Sequence, residues 1–272
     1  MEHGESVEMR LLRWAQPVEV LRSRYTTFEF PTHAHPEYTI GEVLQGSELF
    51  AHRGRQVEAP QGWFLHLNPT VAHTGRAADG SWSYVSLYPS VELLRLLLPE
   101  LCRSGDPEFP APVSYHPAMQ GRLARFVGAV FQGADDLTLQ SELLEILRVL
   151  LPPEPKPAAA QAGRSPRSAL VARVRDRLNE DWAENVSLLD LAGAMSLTPL
   201  TLLRAFRDEV GCTPQTFRTA RRLEVARGLI RQGGDLAAIA LQCGFSDQSH
   251  LTNTFRRWTG LTPGQYRLHS LG

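Results

Sequence analysis

The segment AAIALQCGFSDQSHLTNTFRRWTGLTPGQYR, residues 237–267, matches an earlier segment of the same chain at a constant offset of 49 residues. The identical pairs are Leu202 and Leu251, Phe206 and Phe255, Arg207 and Arg256, Gly211 and Gly260, Thr213 and Thr262, Pro214 and Pro263, and Arg218 and Arg267. Identities at one offset indicate a duplicated supersecondary unit. Each copy predicts a short helix, a tight turn, a second helix, and Gly-x-Thr-Pro opening a further segment.

Helix-capping residues mark the predicted helix ends in this half. Ser187 can cap one helix with Asp190 as its capping-box partner, and Thr198 followed by Pro199 can open the next. Because the turn between these two helices is so short, they are expected to cross steeply. Thr213 and Pro214 begin a longer helix between the copies, and a Gly-Gly pair ends it.

Composition favours a globular protein of two domains. The chain has 272 residues, of which 43% are hydrophobic and 21% are charged, and this length exceeds that of one typical domain. No apolar run reaches the roughly 18 residues that span a bilayer, and the charged N-terminus lacks the features of a secretory signal. Three separate cysteines without a CxxC pair exclude a zinc ribbon and favour a reducing compartment. We therefore expect a cytoplasmic protein without a membrane span.

Charge and proline content divide the chain. Residues 1–164 carry 14 basic and 19 acidic side chains, whereas residues 165–272 carry 14 basic and 10 acidic side chains. The stretch PPEPKPAAAQAGRSP at 152–166 favours an extended linker. The predicted domains are thus 1–151 and 167–272, and the modest positive charge of the second permits a polyanionic partner without requiring one.

Residues 186–267 resemble the paired helix-turn-helix domain of AraC/XylS-type bacterial transcription regulators, and 237–267 are similar to the family signature almost throughout. The resemblance implies a transcription factor, commonly an activator that works with RNA polymerase, whose two recognition helices enter successive major grooves of double-stranded DNA. Carried over position by position, the exposed residues of the first recognition helix are Leu200, Thr201, Leu203, Arg204 and Arg207. Those of the second are Asp247, Gln248, Ser249, His250, Thr252, Asn253 and Arg256.

The chemistry of these side chains fits that role. Arg204 can pair with guanine, and Gln248 or Asn253 with adenine, at about 1–3 kcal/mol of base discrimination each. Arg207 and Arg256 suit phosphates, which fix position without specifying sequence. Each residue taken singly is equally compatible with a solvated helix face, so the duplication carries the argument.

The first unit departs from the family pattern at its turn and at its recognition helix. Ser196 stands where the family usually has glycine, and a left-handed serine there would cost roughly 1 kcal/mol. Leu200 and Leu203 occupy positions that are often polar in the family, so this helix is expected to contact thymine methyl groups or to bind DNA more weakly.

The N-terminal half predicts a small β-barrel followed by helices. Alternating apolar and polar residues indicate strands within 18–30, 47–59, 62–68 and 82–88. Helical spacing follows at about 91–101 and 117–151, and the apolar stripe of the second helical segment is compatible with packing on its own domain or with a dimer face. The overall class is therefore α+β.

Two histidine-bearing islands resemble the motifs of a cupin barrel, in the version that AraC-type regulators carry as an effector-sensing domain. The first runs from His33 to Tyr38, and the second from Gly62 through Asn68 to His73. The resemblance implies an effector site. Its predicted effector-binding residues are His33, His35, Glu37, Tyr38 and His73. Arg53, Trp63 and Trp82 are further candidates for the pocket lining, although a place in the core is the favoured alternative for the two tryptophans.

The same histidines are candidate metal ligands. His33 and His35 alternate onto one strand face, and His73 could complete a three-imidazole site for zinc or a similar divalent ion, with Glu37 or Glu42 as a carboxylate ligand. The alternative is a polar cluster that lines a pocket without metal, because the carboxylate spacing differs from that of metal-binding cupin enzymes.

Three functions compete at this point. The first is an effector-responsive transcription regulator that is not an enzyme. This function is compatible with a homodimer. The second is a metal-dependent cupin enzyme fused to a DNA-binding module, which predicts bound metal and turnover. The third is an architectural DNA-binding protein whose barrel serves only to dimerise. We adopt the first as the working hypothesis.

Overall fold

A computed structural model describes residues 5–102, 105–151 and 166–271, and it places a two-sheet β domain before a helical one. The predicted linker at 152–166 lies outside the described residues, except that Pro166 begins a helix.

Within the described residues, ten strands form two antiparallel sheets that enclose the barrel. They are β1 (Ser6–Leu12), β2 (Val18–Tyr25), β3 (Phe30–His33), β4 (Thr39–Gln45), β5 (Ser47–His52), β6 (Arg55–Pro60), β7 (Phe64–Leu67), β8 (His73–Ala77), β9 (Trp82–Tyr88) and β10 (Val113–Ser114). One sheet has the order β1-β2-β9-β4-β7-β10, and the other has the order β3-β8-β5-β6.

The first strand was not anticipated. Residues 6–12 read SVEMRLL, and the charges in the N-terminal segment obscure a regular alternation in which Val7 and Met9 are buried and Glu8 and Arg10 are exposed. β1 pairs along its length with β2, so this segment completes the edge of the larger sheet.

Three helices cover the outer face of the six-stranded sheet. They are α1 (Val91–Leu97), α2 (Arg122–Phe131) and α3 (Asp136–Leu150). Leu123, Phe126, Leu143 and Ile146 of the apolar stripe are at most 1% exposed and share a core with the sheet. Of the two alternatives for this stripe, packing on its own domain is therefore correct for these residues.

Seven helices form the C-terminal domain over residues 166–271. They are α4 (Pro166–Glu180), α5 (Leu188–Ala194), α6 (Pro199–Val210), α7 (Pro214–Arg231), α8 (Leu236–Gln242), α9 (Gln248–Thr259) and α10 (Pro263–Leu271). The capping box of Ser187 with Asp190 and the Thr198 cap are present as predicted. The axes of α5 and α6 lie at 90° to each other, which confirms the steep crossing of a helix-turn-helix unit. The second unit is formed by α8 and α9.

Both turns place a left-handed residue directly after the helix C-cap. Ser196 has a φ of 55° and Gly244 has a φ of 72°. The next amide bonds back to the helix in each case, from Leu197 N to the Ala192 carbonyl and from Phe245 N to the Ala240 carbonyl, both at 2.9 Å. This is the Schellman arrangement, and Ser196 therefore holds the strained left-handed conformation that glycine adopts at the second turn.

The second helix-turn-helix unit shares a hydrophobic core with the barrel. Leu21 and Tyr25 of β2 belong to the same buried cluster as Leu223 of α7, Phe255 of α9 and Tyr266 of α10. The first unit has a separate core around Leu202 and Phe206. The two halves of the chain are thus joined by packing as well as by sequence.

No single helix in the described ranges is long and apolar enough to cross a membrane. The helices α5 and α6 reach such a length and apolar content only as a pair, and the pair is bent by 90°.

Candidate functional site

Three histidines converge where β3 faces β8. His33 ends β3, His35 lies two residues beyond it, and His73 begins β8 directly opposite His33 in the sheet. The ring centroids of His33 and His73 are 4.1 Å apart, and those of His35 and His73 are 5.1 Å apart. One nitrogen from each ring lies within 4.8 Å of the other two. The predicted three-imidazole cluster therefore forms.

Hydrogen bonds fix the tautomer of each ring. Nδ1 of His33 lies 2.8 Å from the carbonyl of Pro31, Nδ1 of His35 lies 3.0 Å from that of Glu37, and Nδ1 of His73 lies 2.9 Å from that of Val71. A carbonyl oxygen only accepts, so each Nδ1 carries the proton and donates it. Each Nε2 is left with its lone pair.

Burial keeps these rings uncharged. It lowers the pKa of His33 to about 4 and, together with the neighbouring His33, that of His35 to about 3. Burial lowers the pKa of His73 well below its ordinary value as well, and His33 and His35 lower it further. All three imidazoles are neutral at physiological pH.

The histidines open into a cavity of about 100 Å³ between the two sheets. By volume it holds a small molecule or several waters. Most of its lining is apolar or aromatic, from Leu21, Tyr25, Phe30, Leu65, Leu67, Tyr84 and Tyr88 of the barrel. The C-terminal domain supplies a further wall, from Ala220, Leu223, Glu224, Arg227, Trp258 and Thr259.

Glu48 is a cavity residue that sequence reasoning missed. It lies on β5, is 5% exposed, and its Oε2 has no hydrogen-bond partner among the described residues. Burial raises the pKa of this carboxyl to about 8. The signal was present in SELFAH, where Glu48 alternates with Phe50 and so shares its inward face.

Several predicted pocket residues lie elsewhere. Tyr38 is fully buried on the opposite side of the large sheet, in the core under the helices, where its hydroxyl donates to the Pro107 carbonyl at 2.8 Å. Its assignment to the effector site is wrong, because the alternation around it indicates a buried face without saying which of the two. Arg53 lies at a solvent cleft beside α4 and α6, and Trp63 packs against Tyr115 with the two rings tilted by 31°. Trp82 packs on Tyr25 in the shared core, which is the role favoured for it from the sequence.

Neither predicted carboxylate ligand is available to the histidine cluster. Glu42 is buried beneath α2, where its side chain accepts hydrogen bonds from the backbone N–H groups of Gly121 and Ala124. Glu37 turns toward α7 and pairs with Arg227, its Oε1 lying 3.3 Å from Nη1. Helix capping and an interdomain ion pair thus occupy the two side chains.

A buried ionic cluster fastens the C-terminal domain over the cavity. Arg227 Nη2 lies 2.5 Å from Oε2 of Glu19, and Arg231 Nη1 lies 3.2 Å from Oε1 of Glu19. The hydroxyl of Tyr266 also donates to Glu19. Burial opposes ionisation of Glu19, but Arg227 and Arg231 overcome it and the net effect lowers its pKa. The carboxylate on β2 is therefore ionised and held by two arginines of α7.

The second recognition helix also reaches the cavity. Trp258, near the end of α9, packs edge-on against His33 with 5.8 Å between ring centroids. The side chains assigned to DNA lie mostly elsewhere on this helix and on α6. Those that are exposed are Leu200, Thr201, Arg204 and Arg207 on α6, and Gln248, Ser249, His250, Asn253 and Arg256 on α9.

Four of the predicted DNA-contacting residues are half-buried, cap a helix or border another surface. Leu203 and Thr252 are half-buried. Asp247 is the N-cap of α9, where its carboxylate accepts from the His250 amide. Arg207 is exposed but borders the solvent cleft between α6 and the barrel.

Two family models match this architecture. A model described as an AraC-like ligand binding domain matches residues 16–147, and one described as a helix-turn-helix domain matches residues 191–269. The chain belongs to the AraC-type transcription regulators. It is a DNA-binding regulator with an N-terminal ligand-binding domain and a C-terminal helix-turn-helix domain.

Relatives that align with most of this chain are also named as transcription regulators. The uncharacterized transcriptional regulator YbfI of Bacillus subtilis is 29% identical over 236 residues, which are 86% of each chain. The transcriptional activator RhaS of Escherichia fergusonii is 28% identical over 262 residues, which are 93% of each chain. The crystal structure of ToxT from Vibrio cholerae O395 has a TM-score of 0.53 at 12% identity and covers 94% of this chain and 98% of its own, which shows a shared fold.

Proposed function

We propose that this regulator activates transcription in response to a small molecule bound in the barrel cavity, and that the bound molecule changes how α6 and α9 are presented to DNA. One observation carries the proposal: the DNA-binding domain supplies a wall of the cavity through α7 and α9. A ligand in this cavity touches both domains, so its affinity depends on their arrangement. Such differential affinity is what a switch requires.

DNA contact is assigned to the exposed faces of α6 and α9. Arg204 and Asn253 are the base-contacting residues and Arg256 a phosphate-contacting one. The 18 residues of α7 connect the two units, and at 1.5 Å per residue the helix spans about 27 Å. This length suits two units that address neighbouring turns of one duplex.

The ligand is assigned to the cavity bounded by His33, His35, His73 and Glu48. These groups are neutral near pH 7, and apolar and aromatic side chains together supply most of the remaining lining, which also includes the paired Glu19 and Arg227. We infer a small, largely apolar effector with one or two hydrogen-bonding groups. Regulation rather than turnover is the inferred role, because relatives over most of the chain are named as transcriptional regulators.

The partners follow from the same comparison. RhaS is named as an activator, and by this analogy RNA polymerase is the protein partner and the cytoplasm the place of action. A homodimer is compatible with Leu137 and Val149, which leave 76% and 46% of their surfaces exposed on α3.

Selection of genomic fragments with the purified full-length chain tests this function. We expect a small set of fragments that share a motif, with affinity that falls steeply as salt rises. Metabolites are then titrated into the complex with one selected fragment. Fragments without a common motif, or affinity for DNA that no tested metabolite changes while metabolites do bind the cavity, would contradict the proposal.

Substitutions on the recognition helices test the residue assignments. Arg204→Ala and Asn253→Ala are expected to relax base preference at separate half-sites, by about 1–3 kcal/mol each, whereas Arg256→Ala should weaken all sequences alike and reduce the salt slope by about one. Arg24→Ala, on the exposed face of β2, is the control for loss of one positive charge. Binding of a substituted operator series measures each effect, and equal losses at every base for all three variants would refute the assignments.

A further inference from the structure

We propose that His33, His35 and His73 bind a divalent transition-metal ion of the zinc class, and that Trp258 transmits occupancy of this site to the second recognition helix. The metal site stands on the histidine geometry alone. Its coupling to DNA rests on the proposed function.

The donor set is already prepared for a metal. The three Nδ1–H groups are held by the carbonyls of Pro31, Glu37 and Val71, and this type of bond orients the imidazole of a metal-binding histidine and fixes its Nε2 as the ligand atom. One nitrogen of each ring lies within 4.8 Å of the other two. At ordinary zinc–nitrogen distances the nitrogens of a tetrahedral site lie about 3.4 Å apart, so binding of one ion requires the rings to close by up to about 1.4 Å.

The surroundings also suit a metal that keeps an open position. Three neutral imidazoles match the ligand preference of zinc, copper, nickel and ferrous iron. The fourth position faces the cavity, where a water or an oxygen or nitrogen atom of the effector can bind. The Thr39 hydroxyl, which lies 3.0 Å from Nε2 of His35, must give up that bond when the ion enters.

Trp258 provides a direct mechanical link. Its indole packs on His33 at 5.8 Å between centroids, and it shares α9 with Asn253 and Arg256. Movement of the His33 ring toward an ion withdraws one surface against which the indole packs. Because a short helix moves as a rigid unit, the exposed side chains of α9 shift with it.

Metal content of the full-length chain is the first measurement. The chain is stripped with chelator, incubated with Zn²⁺ or Co²⁺ and freed of excess ion before elemental analysis. We expect about one ion per chain and, with Co²⁺, the strong visible absorption of four-coordinate geometry. His73→Asn should abolish both, because asparagine can keep the hydrogen bond to Val71 but has no group in place of Nε2.

Two further histidine variants control for loss of the ion through misfolding. His116→Asn, at a histidine outside the cluster, should retain the ion, and His35→Asn should lose it even if His73→Asn folds poorly. Thermal unfolding identifies variants that fail to fold. A well-folded wild-type chain that retains no ion, or a His35→Asn chain that retains a full complement, would overturn the site.

Operator affinity is the second measurement. Zinc-loaded and stripped wild-type chains should differ about fivefold or more in Kd for a selected fragment. Trp258→Ala should retain the ion and lose most of that difference, whereas Trp63→Ala, remote from the cavity, should keep it. Ion binding without any change in Kd would overturn the coupling and leave the site intact, while absence of DNA binding in both forms would instead count against the proposed function.

Discussion

Glu48 shows how one buried side chain can carry a pH dependence that its surface counterparts do not. It lies on the inner face of β5 with one oxygen lacking a partner among the described residues. Transfer of such a carboxyl from water favours its protonated form. The cavity therefore holds a neutral acid in addition to three neutral imidazoles on its barrel side, while the paired charges of Glu19 and Arg227 lie in its lining toward the C-terminal domain.

Glu48→Gln should make the protein more stable at alkaline pH. In the unfolded chain the carboxyl ionises near its ordinary pKa of 4.5, whereas in the folded chain it keeps its proton to about pH 8. The folded state thus binds more protons between these values, so the contribution of Glu48 is complete below about pH 4.5 and is lost as pH rises to 8. We expect the variant to gain about 2–4 kcal/mol over wild type between pH 5 and pH 9.

Denaturant unfolding of both chains across this pH range measures the difference. Glu58→Gln, at an exposed residue of the neighbouring strand β6, serves as the control and should track wild type. A Glu48→Gln chain whose stability runs parallel to wild type from pH 5 to pH 9 would show that the carboxyl is solvated in the folded protein.

At the scale of elements, the two helix-turn-helix turns share a backbone path but differ in tolerance. Ser196 adopts its left-handed conformation at the protein surface. At Gly244 a Cβ atom would lie 2.5 Å from the Ala183 carbonyl and 2.7 Å from the guanidinium of Arg222. The first turn therefore costs only backbone strain, whereas the second has no space for a side chain.

Ser196→Gly and Gly244→Ala should consequently act in opposite directions. Relief of left-handed strain at the first turn is expected to stabilise the chain by up to about 1 kcal/mol. Alanine at the second turn combines that strain with a steric conflict and should destabilise by about 2 kcal/mol or more. Thermal unfolding of the two variants and of wild type measures both changes in stability. A Gly244→Ala chain as stable as wild type would contradict the expected steric conflict and would mean that Arg222 moves aside freely.

The elements differed in how far the sequence could predict them. The helices of the C-terminal half follow from caps and periodicity, which act within a few residues, so Ser187, Thr198 and Thr213 begin helices as expected. The pairing of His33 with His73 followed from motif resemblance. β1 was missed because its alternation is short and its polar positions are charged, and Tyr38 was misplaced because alternation does not specify which face is which.

The wall that α7 and α9 add to the cavity could not be predicted, for a different reason. It depends on contacts between residues more than 180 positions apart, such as Glu37 and Arg227 with a separation of 190, and no local sequence pattern indicates it. The sequence indicated two domains but contained no sign that α7 and α9 close one of them. The assignment of DNA-contacting residues remains a prediction.

At the scale of the whole molecule, Arg227 holds the two domains together by pairing with Glu19 and Glu37. Removing one partner from a buried ionic cluster leaves an uncompensated charge, which typically costs about 3–5 kcal/mol. Arg227→Met should therefore destabilise the chain strongly. The triple variant Glu19→Gln, Glu37→Gln, Arg227→Met should recover much of that loss, because both buried carboxylates are removed together with Arg227, and Arg231, whose side chain is 28% exposed, keeps its hydrogen bond to the Tyr266 hydroxyl.

Denaturant titration of both variants, with small-angle scattering to follow domain separation, checks this expectation. Arg221→Met, whose ion pair with Glu224 lies within α7, is the control and should change little. If the triple variant were less stable than Arg227→Met, the cluster would stabilise the closed arrangement in its own right and the desolvation argument would fail.

The packing of Leu223 and Trp258 against the cavity also affects the rate at which a bound molecule is released. A molecule bound in this cavity would contact both helices, so its departure is expected to be faster when α7 and α9 lift from the barrel, and domain motions of this kind take microseconds to seconds. The lifetime of the proposed signal should then depend on how often these helices lift as well as on how tightly the cavity holds its occupant. Any duplex that favours the lifted arrangement must hasten departure of that occupant, and one that favours the closed arrangement must prolong its stay.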